Sequence, residues 1–262
     1  MAINYAMTRN FPSENAENHL FYDAGAGSIR STIVSFQTVE VKDSPSSKTT
    51  REVTAAEVKG VGFDRSVGGL AMDSKIRDML EAQFNEASGS ALESPLSKNR
   101  RAQAKLLKEA ARVKQVLSAN PEAPSRIEGL AEDIDFRGAL SRDAFESAFA
   151  DKKKAFEQPI HDALKAANMT IADINSVILV GGVSRVPMVR SAVVSVVGED
   201  KIALNLNADE AAVMGGALYG AGLSKQFKTK DIRLAGISSH AIEMTYEGES
   251  KKGWSRLYSR NG

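Results

Sequence analysis

The first candidate functional segment is a run of small residues that follows an aspartate, Asp23-Ala24-Gly25-Ala26-Gly27-Ser28. A tight turn of small residues brings backbone N–H groups together, and a concave backbone of this kind binds phosphate oxygens. The carboxylate of Asp23 is suited to hold Mg²⁺ through water or to orient an attacking water, and the hydroxyl of Ser28 is suited to donate to phosphate. These residues predict a phosphate-binding loop with Asp23 and Ser28 as candidate catalytic residues. An ordinary β-hairpin turn is the alternative, because short glycine-rich turns are common.

The second candidate is the run Val180-Gly181-Gly182-Val183-Ser184-Arg185-Val186-Pro187, which follows an apolar segment at residues 176–180. A buried strand that ends in two glycines lets a ligand approach the backbone at the strand's carboxyl end, where open α/β sheets bind ligands. The guanidinium of Arg185 is suited to stack on a base or to pair with phosphate. The alternative is a tight strand-to-helix turn with a solvated arginine.

The third candidate is a basic segment at residues 98–117. Its charges fall around most of the predicted helix, which favours a solvated face over a surface that binds nucleic acid. Lys114 and Ser118 lie one helical turn apart and share a face, so both are placed to contact one ligand.

Two weaker signals complete the candidates. The triplet Asn168-Met169-Thr170 is an N-glycosylation sequon, which matters only if the chain enters the secretory pathway. Asp209 and Glu210 open an alanine-rich helix, where negative charge favours the N-terminal dipole. That position indicates helix capping more than catalysis.

The elements that must position these residues begin with a β-hairpin at residues 20–39, whose turn is the first glycine run. A polar loop is expected at residues 42–51 because it contains Pro and Ser, and a strand is expected at residues 52–59, ended by Gly60.

The middle of the chain changes to helical periodicity. The apolar residues that predict the first helix are Leu70, Ile76, Leu80 and Phe84, and those of the second are Ala102, Leu106, Val113 and Leu117. A short hairpin is expected at residues 125–136. A third helix is capped by Ser141 and kinked before Pro159. Its apolar residues are Phe145, Phe149, Phe156 and Leu164. This pattern predicts a subdomain inserted into an α/β framework.

The framework then resumes. Thr170 and Asp173 resemble a capping box, residues 176–180 predict a buried strand, and Pro187 lies in the first turn of the helix that follows. The remaining expected elements are a strand at residues 201–204, a helix at residues 207–223 and strand-like segments from Ile232 to Tyr246.

The composition limits the function classes. The 262 residues are 42% hydrophobic, enough for one large domain or two small ones. The 34 basic and 33 acidic residues nearly cancel, which argues against nucleic acid or an anionic membrane as partner. No apolar run approaches the ~20 residues of a membrane span. The absence of cysteine excludes disulfides, cysteine-ligated zinc and thiol catalysis. Residues 1–5 lack the basic and apolar regions of a signal peptide, which favours an internal start.

Several runs in order resemble one known family. The run LFYDAGAGS resembles the second phosphate loop of the heat-shock protein 70 superfamily, VILVGGVSRVP resembles its adenosine loop, and NADEA resembles the start of its following helix. Residues 60–69, 105–120 and 127–136 resemble the large glucose-regulated, hypoxia-induced chaperones of the endoplasmic reticulum. The similarity runs from about Ala2 to Phe227. It implies an α/β fold, the second lobe of an actin-like ATPase (ribonuclease H-like) with an inserted α+β subdomain.

The resemblance also implies a division of the chain. Residues 1–66 and 150–225 form subdomain IIA of a nucleotide-binding domain, and residues 67–149 form subdomain IIB. Residues 226–262 are the interdomain linker and the first strands of a substrate-binding β domain. Without their sheet partners, we expect those last strands to be disordered or to pair with a neighbouring molecule.

The resemblance assigns the candidate residues to ATP or ADP with Mg²⁺. The residues around the β- and γ-phosphates are Asp23, Gly25, Ala26, Gly27 and Ser28, with Asp23 holding the metal through water. The residues that line the adenosine pocket are Lys114, Gln115 and Ser118 on one side and Gly181, Gly182, Val183 and Arg185 on the other, with Asp209 beside the cleft.

The chain departs from the family pattern at several of these positions. The family has glycine for Ala26, threonine for Ser28, an acidic residue for Arg30, glutamate for Ala111 and a basic residue for Gln115. Each change weakens the inference of ordinary ATP turnover. The resemblance also implies that the first lobe, with its phosphate loop and catalytic lysine, is not among these 262 residues. We therefore expect this chain alone not to hydrolyse ATP at a meaningful rate.

The function implied is that of the nucleotide-binding lobe of an ATP-dependent chaperone of the endoplasmic reticulum lumen. Its partners would be unfolded polypeptides, bound through the substrate-binding domain, and the conventional lumenal heat-shock protein 70-type chaperone, for which it would act in nucleotide exchange. One alternative is a chaperone-interaction module with a vestigial nucleotide pocket. The other is an actin-like or sugar-kinase relative outside the chaperones.

Overall fold

The computed structural model describes residues 1–42, 49–88, 94–203, 207–224, 226–238, 240–247 and 252–258. The strands are β1 (Glu17–Ala24), β2 (Ile29–Lys42), β3 (Thr50–Asp64), β4 (Glu122–Ala131), β5 (Ile134–Ser141), β6 (Ser176–Val180), β7 (Ile202–Ala203), β8 (Ile232–Ala235), β9 (Ile242–Glu247) and β10 (Lys252–Tyr258). The α-helices are α1 (Ala2–Met7), α2 (Gly69–Ser88), α3 (Arg100–Ala119), α4 (Arg142–Ser147), α5 (Lys153–Ala167), α6 (Pro187–Val197) and α7 (Ala211–Leu223). Among these helices, none is long and apolar enough to cross a membrane.

A mixed sheet with the strand order β7-β6-β1-β2-β3-β8 forms the framework. The strands β1, β2 and β3 pair antiparallel, whereas β6 pairs parallel with β1 and β7 parallel with β6. This arrangement confirms the predicted α/β class and the predicted hairpin around the first glycine run. It also places the carboxyl ends of β1 and β6 side by side.

Both faces of the sheet are covered, which explains why β1 is almost wholly buried. Leu20 and Tyr22 point into the larger hydrophobic core, which also contains residues of α2, α3, α5 and α6. The buried hydroxyl of Tyr22 donates to the carbonyl of Phe156 at 2.9 Å, as a buried polar group requires. On the opposite face, Phe21 joins Tyr5 of α1 in a smaller core.

The strand β3 runs past Gly60 to Asp64, so the predicted end of that strand at Gly60 is wrong. Gly60 and Gly62 serve close packing instead of a turn. A Cβ at Gly60 would lie 2.3 Å from the carbonyl oxygen of Ala163, and one at Gly62 would lie 2.2 Å from that of Pro159. Both distances are far below van der Waals contact, so only glycine lets α5 lie directly on β3.

The inserted segment is built around α2, α3 and the β4–β5 hairpin. The predicted core positions of both helices are buried, with the exception of Leu70, which is 58% exposed at the first turn of α2. The hairpin extends over residues 122–141, beyond the predicted 125–136. Phe136 of β5 packs its ring against Phe84 of α2, with ring centroids 6.0 Å apart.

The predicted third helix is broken. Ser141 caps it as expected, accepting a hydrogen bond from the Ala144 N–H at 3.2 Å. The helix then ends at Ser147, a short 3₁₀ turn follows at Ala150–Lys152, and α5 begins at Lys153 with Pro159 inside it. The interruption turns Phe149 inward, where its ring lies 5.5 Å from that of Phe145. A continuous helix kinked only before Pro159 is therefore a wrong prediction.

Several local predictions in the second half are confirmed. Thr170 and Asp173 form the capping box, and the hydrogen bonds from the backbone and hydroxyl of Thr170 lower the pKa of Asp173. Pro187 opens α6 at its first position. The helix expected from residue 207 begins only at Ala211, because residues 208–210 form a turn. The predicted loop at residues 42–51 and the predicted strand at residues 201–204 lie partly outside the described residues.

The segment after α7 returns to the sheet, contrary to the expectation of disorder or pairing with a neighbouring molecule. The strand β8 pairs parallel with β3, and β9 and β10 pair with each other. Lys230 holds the segment to α1 by donating to the carbonyls of Ala6 and Arg9, and Asp231 forms an ion pair with Arg51. The free edge of β3 gives β8 a partner within the chain, and polar sequence alone does not reveal it.

Candidate functional site

The two glycine runs meet at the carboxyl ends of β1 and β6, as parallel neighbouring strands require. We call residues 23–28 the first glycine loop and residues 180–187 the second glycine loop. Gly181 has φ +81°, and a Cβ there would lie 2.4 Å from the carbonyl oxygen of Ala24 and 3.0 Å from Oδ1 of Asp23. The two loops are therefore in direct contact, and only glycine at position 181 permits it.

The first glycine loop directs its carbonyls into the protein. The Gly25 N–H donates to the Ser28 carbonyl at 3.1 Å and closes the turn. The carbonyls of Gly25 and Ala26 accept from the N–H groups of Gly69 and Leu70 at 3.1 and 2.8 Å, at the start of α2. Ala26 and Gly27 are exposed, and in the described part of the chain no backbone carbonyl accepts from their N–H groups. This arrangement fits an anion such as phosphate.

Gly69 is the point at which three distant segments meet. A Cβ there would lie 3.1 Å from Cγ2 of Val183, 3.2 Å from Nζ of Lys114 and 3.3 Å from Cα of Ala26. The neighbouring Gly68 has φ +155°, and its Cβ would lie 2.7 Å from the Ala26 carbonyl oxygen. Sequence reasoning did not single out either glycine as a site residue. The signal was present as a glycine pair that follows a strand and opens a helix.

Lys114 reaches this meeting point from α3. Its Nζ lies 2.7 Å from Oδ1 of Asp73 and donates to the Gly69 carbonyl at 3.2 Å. The two charged side chains are only 15% and 11% exposed, so the pair is largely screened from solvent. Asp73, one turn into α2, is a second residue that the sequence did not indicate. The ion pair fixes Lys114 beside the loops and holds α2 and α3 together.

The other α3 candidates are less closely involved. The Ser118 hydroxyl donates to the Lys114 carbonyl at 3.0 Å, within the helix itself. Gln115 is exposed. In the described part of the chain, neither Gln115 nor Ser118 forms a side-chain hydrogen bond to the glycine loops.

Arg185 and Asp209 form the outer wall of the second glycine loop. Nη2 of Arg185 donates to Oδ2 of Asp209 at 2.6 Å, with the side chains 61% and 56% exposed. The Gly181 N–H donates to the Ala208 carbonyl at 3.2 Å, which joins the turn before α7 to the loop. An exposed ion pair contributes little to stability, about 0–1 kcal/mol. The pair with Asp209 is therefore a weak constraint on the position of the Arg185 guanidinium.

Both glycine loops leave room for a ligand. A Cβ at Gly182 or at Gly27 would meet no atom within 4 Å, so both loops border open space. For Mg²⁺, the predicted ligand Asp23 is paired across the strands with Arg30. No group of three or more His, Cys, Asp or Glu side chains able to hold a metal occurs in the described residues. Mg²⁺ that binds together with a nucleotide takes one or two carboxylates and otherwise phosphate oxygens and water, so Asp23 alone is compatible with the predicted role.

The sequon at Asn168 lies away from the loops. Asn168 is exposed, has φ 53° and ends α5 in the left-handed conformation that favours asparagine or glycine. The Thr170 hydroxyl donates to Asp173 at 2.8 Å in the capping box. Both residues thus have structural roles, and glycosylation of Asn168 stays a prediction.

Comparison with known proteins decides the family. The family model described as Hsp70 protein matches residues 1–258. The chain belongs to the Hsp70 family. This membership confirms the resemblance found in the sequence and, with the mixed sheet, the actin-like ATPase fold. It also sets aside a sugar-kinase relative outside the chaperones.

The similar relatives are Hsp70-family proteins named hypoxia up-regulated protein 1. The protein of Danio rerio is 42% identical over 256 residues, which cover 97% of this chain and 25% of that protein. The protein of Xenopus laevis is 42% identical over 254 residues, covering 96% of this chain and 38% of that protein. The protein of Homo sapiens is 40% identical over 255 residues, covering 96% and 25%. The chain thus spans between a quarter and about two fifths of the length of these relatives.

Proposed function

We propose that this chain is the nucleotide-binding lobe of an Hsp70-type chaperone and binds ADP or ATP at the two glycine loops. The observation that carries the proposal is the contact of Ala26, Lys114 and Val183 around Gly69. These residues come from a hairpin turn, an inserted helix and a strand-to-helix turn that are far apart in sequence. Open backbone on both loops beside that contact suits a ligand with phosphates at one end and a flat base at the other.

Within this site the loops have different roles. The exposed N–H groups of Ala26 and Gly27, with the Ser28 hydroxyl, would bind phosphate oxygens. Gly182 would let the adenosine lie against backbone, and Arg185 would leave Asp209 to stack on the base. Lys114 would border the ribose, with Gln115 and Ser118 further along α3.

Substitution of Gly182 tests this function. Gly182→Leu adds a side chain in open space, so folding is unaffected while the ligand-facing backbone is covered. Isothermal titration calorimetry should show saturable binding of ADP and adenosine, weakened tenfold or more by Gly182→Leu. The matched control is Gly220→Leu, also in open space but on α7, which should bind as the parent does. Equal binding by both variants, or no binding at millimolar ligand (about −4 kcal/mol or weaker), would refute the proposal.

For the longer protein of which the similar relatives are examples, we propose an ATP-regulated chaperone of the endoplasmic reticulum lumen that acts under stress. The support is 40–42% identity to proteins whose name contains the words hypoxia up-regulated. Residues 1–66 with 150–225 would be subdomain IIA and residues 67–149 subdomain IIB. Residues 226–262 would lead into a substrate-binding β domain for unfolded polypeptides. The surface of the lobe would also bind the conventional lumenal chaperone during nucleotide exchange.

A second candidate is a chaperone-interaction module whose nucleotide pocket is vestigial. The observation that favours it is the Lys114–Asp73 ion pair, which engages the lysine before any ligand arrives. Ala111, one turn earlier on α3, offers no polar group to a ribose. Failure of a two-lobed protein to bind adenosine, with retained binding to the lumenal chaperone, would support this candidate over the first.

A further inference from the structure

A cavity of 410 Å³ lies between the sheet and the helices α1 and α7, and we call it the α1–α7 cavity. Of the residues in the two glycine loops, Asp23 alone lines it, so it is distinct from the proposed nucleotide site. Its volume is within the range of small-molecule pockets, roughly 300–1,000 Å³. An apolar cavity of about 150 Å³ is enough to bind benzene. The α1–α7 cavity therefore has room for a ligand with two fused aromatic rings.

Most of the lining of this cavity is apolar. The buried side chains of Phe21 and Val34 line it from the sheet, and α7, which lines it from the other side, contains no charged residue. A Cβ added at Gly216 of α7 would meet no atom within 4 Å, so this wall borders open space. Tyr219 and Leu234 also line the cavity and are 51% and 45% exposed. They offer a ligand an aromatic ring and an aliphatic side chain to cover.

One end of the cavity is polar. Asp23 of β1 and Arg30 of β2 lie directly opposite each other in the antiparallel pair, and both line the cavity. Directly opposite residues project from the same face with Cβ atoms about 5 Å apart. Thr32, two residues further along β2, is on that face as well. Among the described residues, none of these three side chains has a hydrogen bond or an ion pair within the protein.

The charges at this end favour a neutral ligand. An anion would be attracted by the guanidinium of Arg30 and repelled by the carboxylate of Asp23, and a cation would meet the reverse. The amino group of Met1 also belongs to the lining; burial lowers its pKa, and Asp23 opposes that shift. Asp64 and Arg65 do not line this cavity. The Asp64 carboxylate is engaged within its own turn, and Arg65 lines a neighbouring cavity of 280 Å³ that also reaches Arg30.

We propose that the α1–α7 cavity binds a neutral aromatic amide. The fused rings would lie on the apolar lining, the amide N–H would donate to the carboxylate of Asp23, and the amide carbonyl would accept from the guanidinium of Arg30. A primary amide carries this donor and this acceptor side by side, which matches the two opposite side chains. The inference goes beyond the proposed nucleotide site and does not depend on it.

The direct test is an NMR titration of the ¹⁵N-labelled chain with naphthalene-2-carboxamide, naphthalene-2-carboxylate and 2-naphthylmethylammonium. The carboxamide should give saturable shifts at the amides of Thr32, Gly216 and Tyr219, with a dissociation constant at least fivefold lower than that of either charged analogue. Three results would overturn the inference: no saturable shift at millimolar carboxamide, equal or tighter binding of a charged analogue, or shifts centred on Gly27 and Gly182. ADP titration of the same sample tests the nucleotide site separately, so either proposal can fail alone.

Variants locate the ligand. Gly216→Leu places a side chain in the open space of the cavity and should weaken carboxamide binding tenfold or more. Gly220→Leu is the matched control, because it is on the same helix and in open space but does not line the cavity, and it should bind as the parent does. Arg30→Met should reduce the preference for the carboxamide over the ammonium analogue at least threefold, since the donor and its repulsion of cations are both lost.

Thermal melting checks that each variant is folded. Parental carboxamide affinity in a folded Gly216→Leu protein, or an unchanged preference in Arg30→Met, would overturn the assignment of the ligand to this cavity.

Discussion

Adjacent glycines in the second glycine loop have different physical roles. Gly181 is constrained by its φ of +81° and by its contact with Ala24, whereas Gly182 has open space where a side chain would be. The sequence shows both as one glycine pair and cannot separate the constrained residue from the one that borders open space. The same separation applies to Gly68, which has φ +155° against Ala26, and to Gly27, which borders open space.

His19 links three elements through a buried network. Its Nδ1 lies 2.8 Å from Oγ of Ser176 on β6 and 3.4 Å from the Tyr5 hydroxyl on α1. Its Nε2 lies 3.3 Å from Oε2 of Glu17. Burial lowers the pKa of His19, with Arg9 acting in the same direction and the hydrogen bond to Glu17 opposing them.

This network predicts acid sensitivity of the fold. The folded-state pKa of His19 lies below the unfolded value of 6.5, so its stabilisation is complete above that pH and is lost as the pH falls through the folded pKa. The free energy of unfolding should therefore decrease on acidification, by at most about 1.4 kcal/mol per pH unit from this one group. Urea denaturation between pH 7.5 and 5 measures it.

His19→Gln provides the comparison, because glutamine keeps hydrogen-bonding capacity and does not titrate. The variant should show a flatter pH dependence than the parent. His161→Gln, at an exposed position, should keep the parental dependence. An unchanged slope in His19→Gln would show that other groups account for the acid sensitivity.

At the scale of elements, the packing of α5 on β3 depends on two strand glycines. Gly62→Ala would bring its new methyl carbon within 2.2 Å of the Pro159 carbonyl oxygen and 2.8 Å of the Asp162 Cβ. Because backbone atoms cannot move aside cheaply, we expect a loss of about 1–3 kcal/mol in the free energy of unfolding. Chemical denaturation monitored by circular dichroism would measure the loss.

Gly216→Ala is the control for that substitution. A Cβ added at Gly216 of α7 would meet no atom within 4 Å, so alanine should be neutral or stabilise by up to about 1 kcal/mol through helix propensity. Equal stability of the Gly62→Ala and Gly216→Ala proteins would mean that α5 and β3 are less closely packed than these distances require.

Much of the element order was predictable because periodicity and local turn chemistry determine it. The β1–β2 hairpin, the strand at Ser176–Val180 and the capping box of Thr170 all depend on neighbouring residues. The wrong predictions concern elements that depend on residues distant in sequence. The extension of β3 past Gly60 depends on α5, and β8 needs the free edge of β3. None of those partners is adjacent in sequence.

At the scale of the whole molecule, the candidate site is assembled from four segments that are spread over residues 26–183. Local sequence indicated the two glycine loops, because each follows a strand and parallel strands end at one edge. It did not indicate Gly69 or Asp73, whose importance depends on the placement of α2 against α3 and the first loop. Helical spacing placed Lys114 and Ser118 on one face of α3, and the resemblance to the Hsp70 family assigned Lys114 to the adenosine pocket.

The central claim is that these segments form one nucleotide-binding surface. The most direct measurement is a two-dimensional NMR titration of the ¹⁵N-labelled chain with ADP, which follows the backbone amides individually. The account predicts saturable shifts with one common dissociation constant at the amides of Ala26, Gly27, Gly69, Lys114, Gly182 and Val183. Shifts confined to one segment, different dissociation constants among the segments, or shifts centred on the β4–β5 hairpin would contradict it.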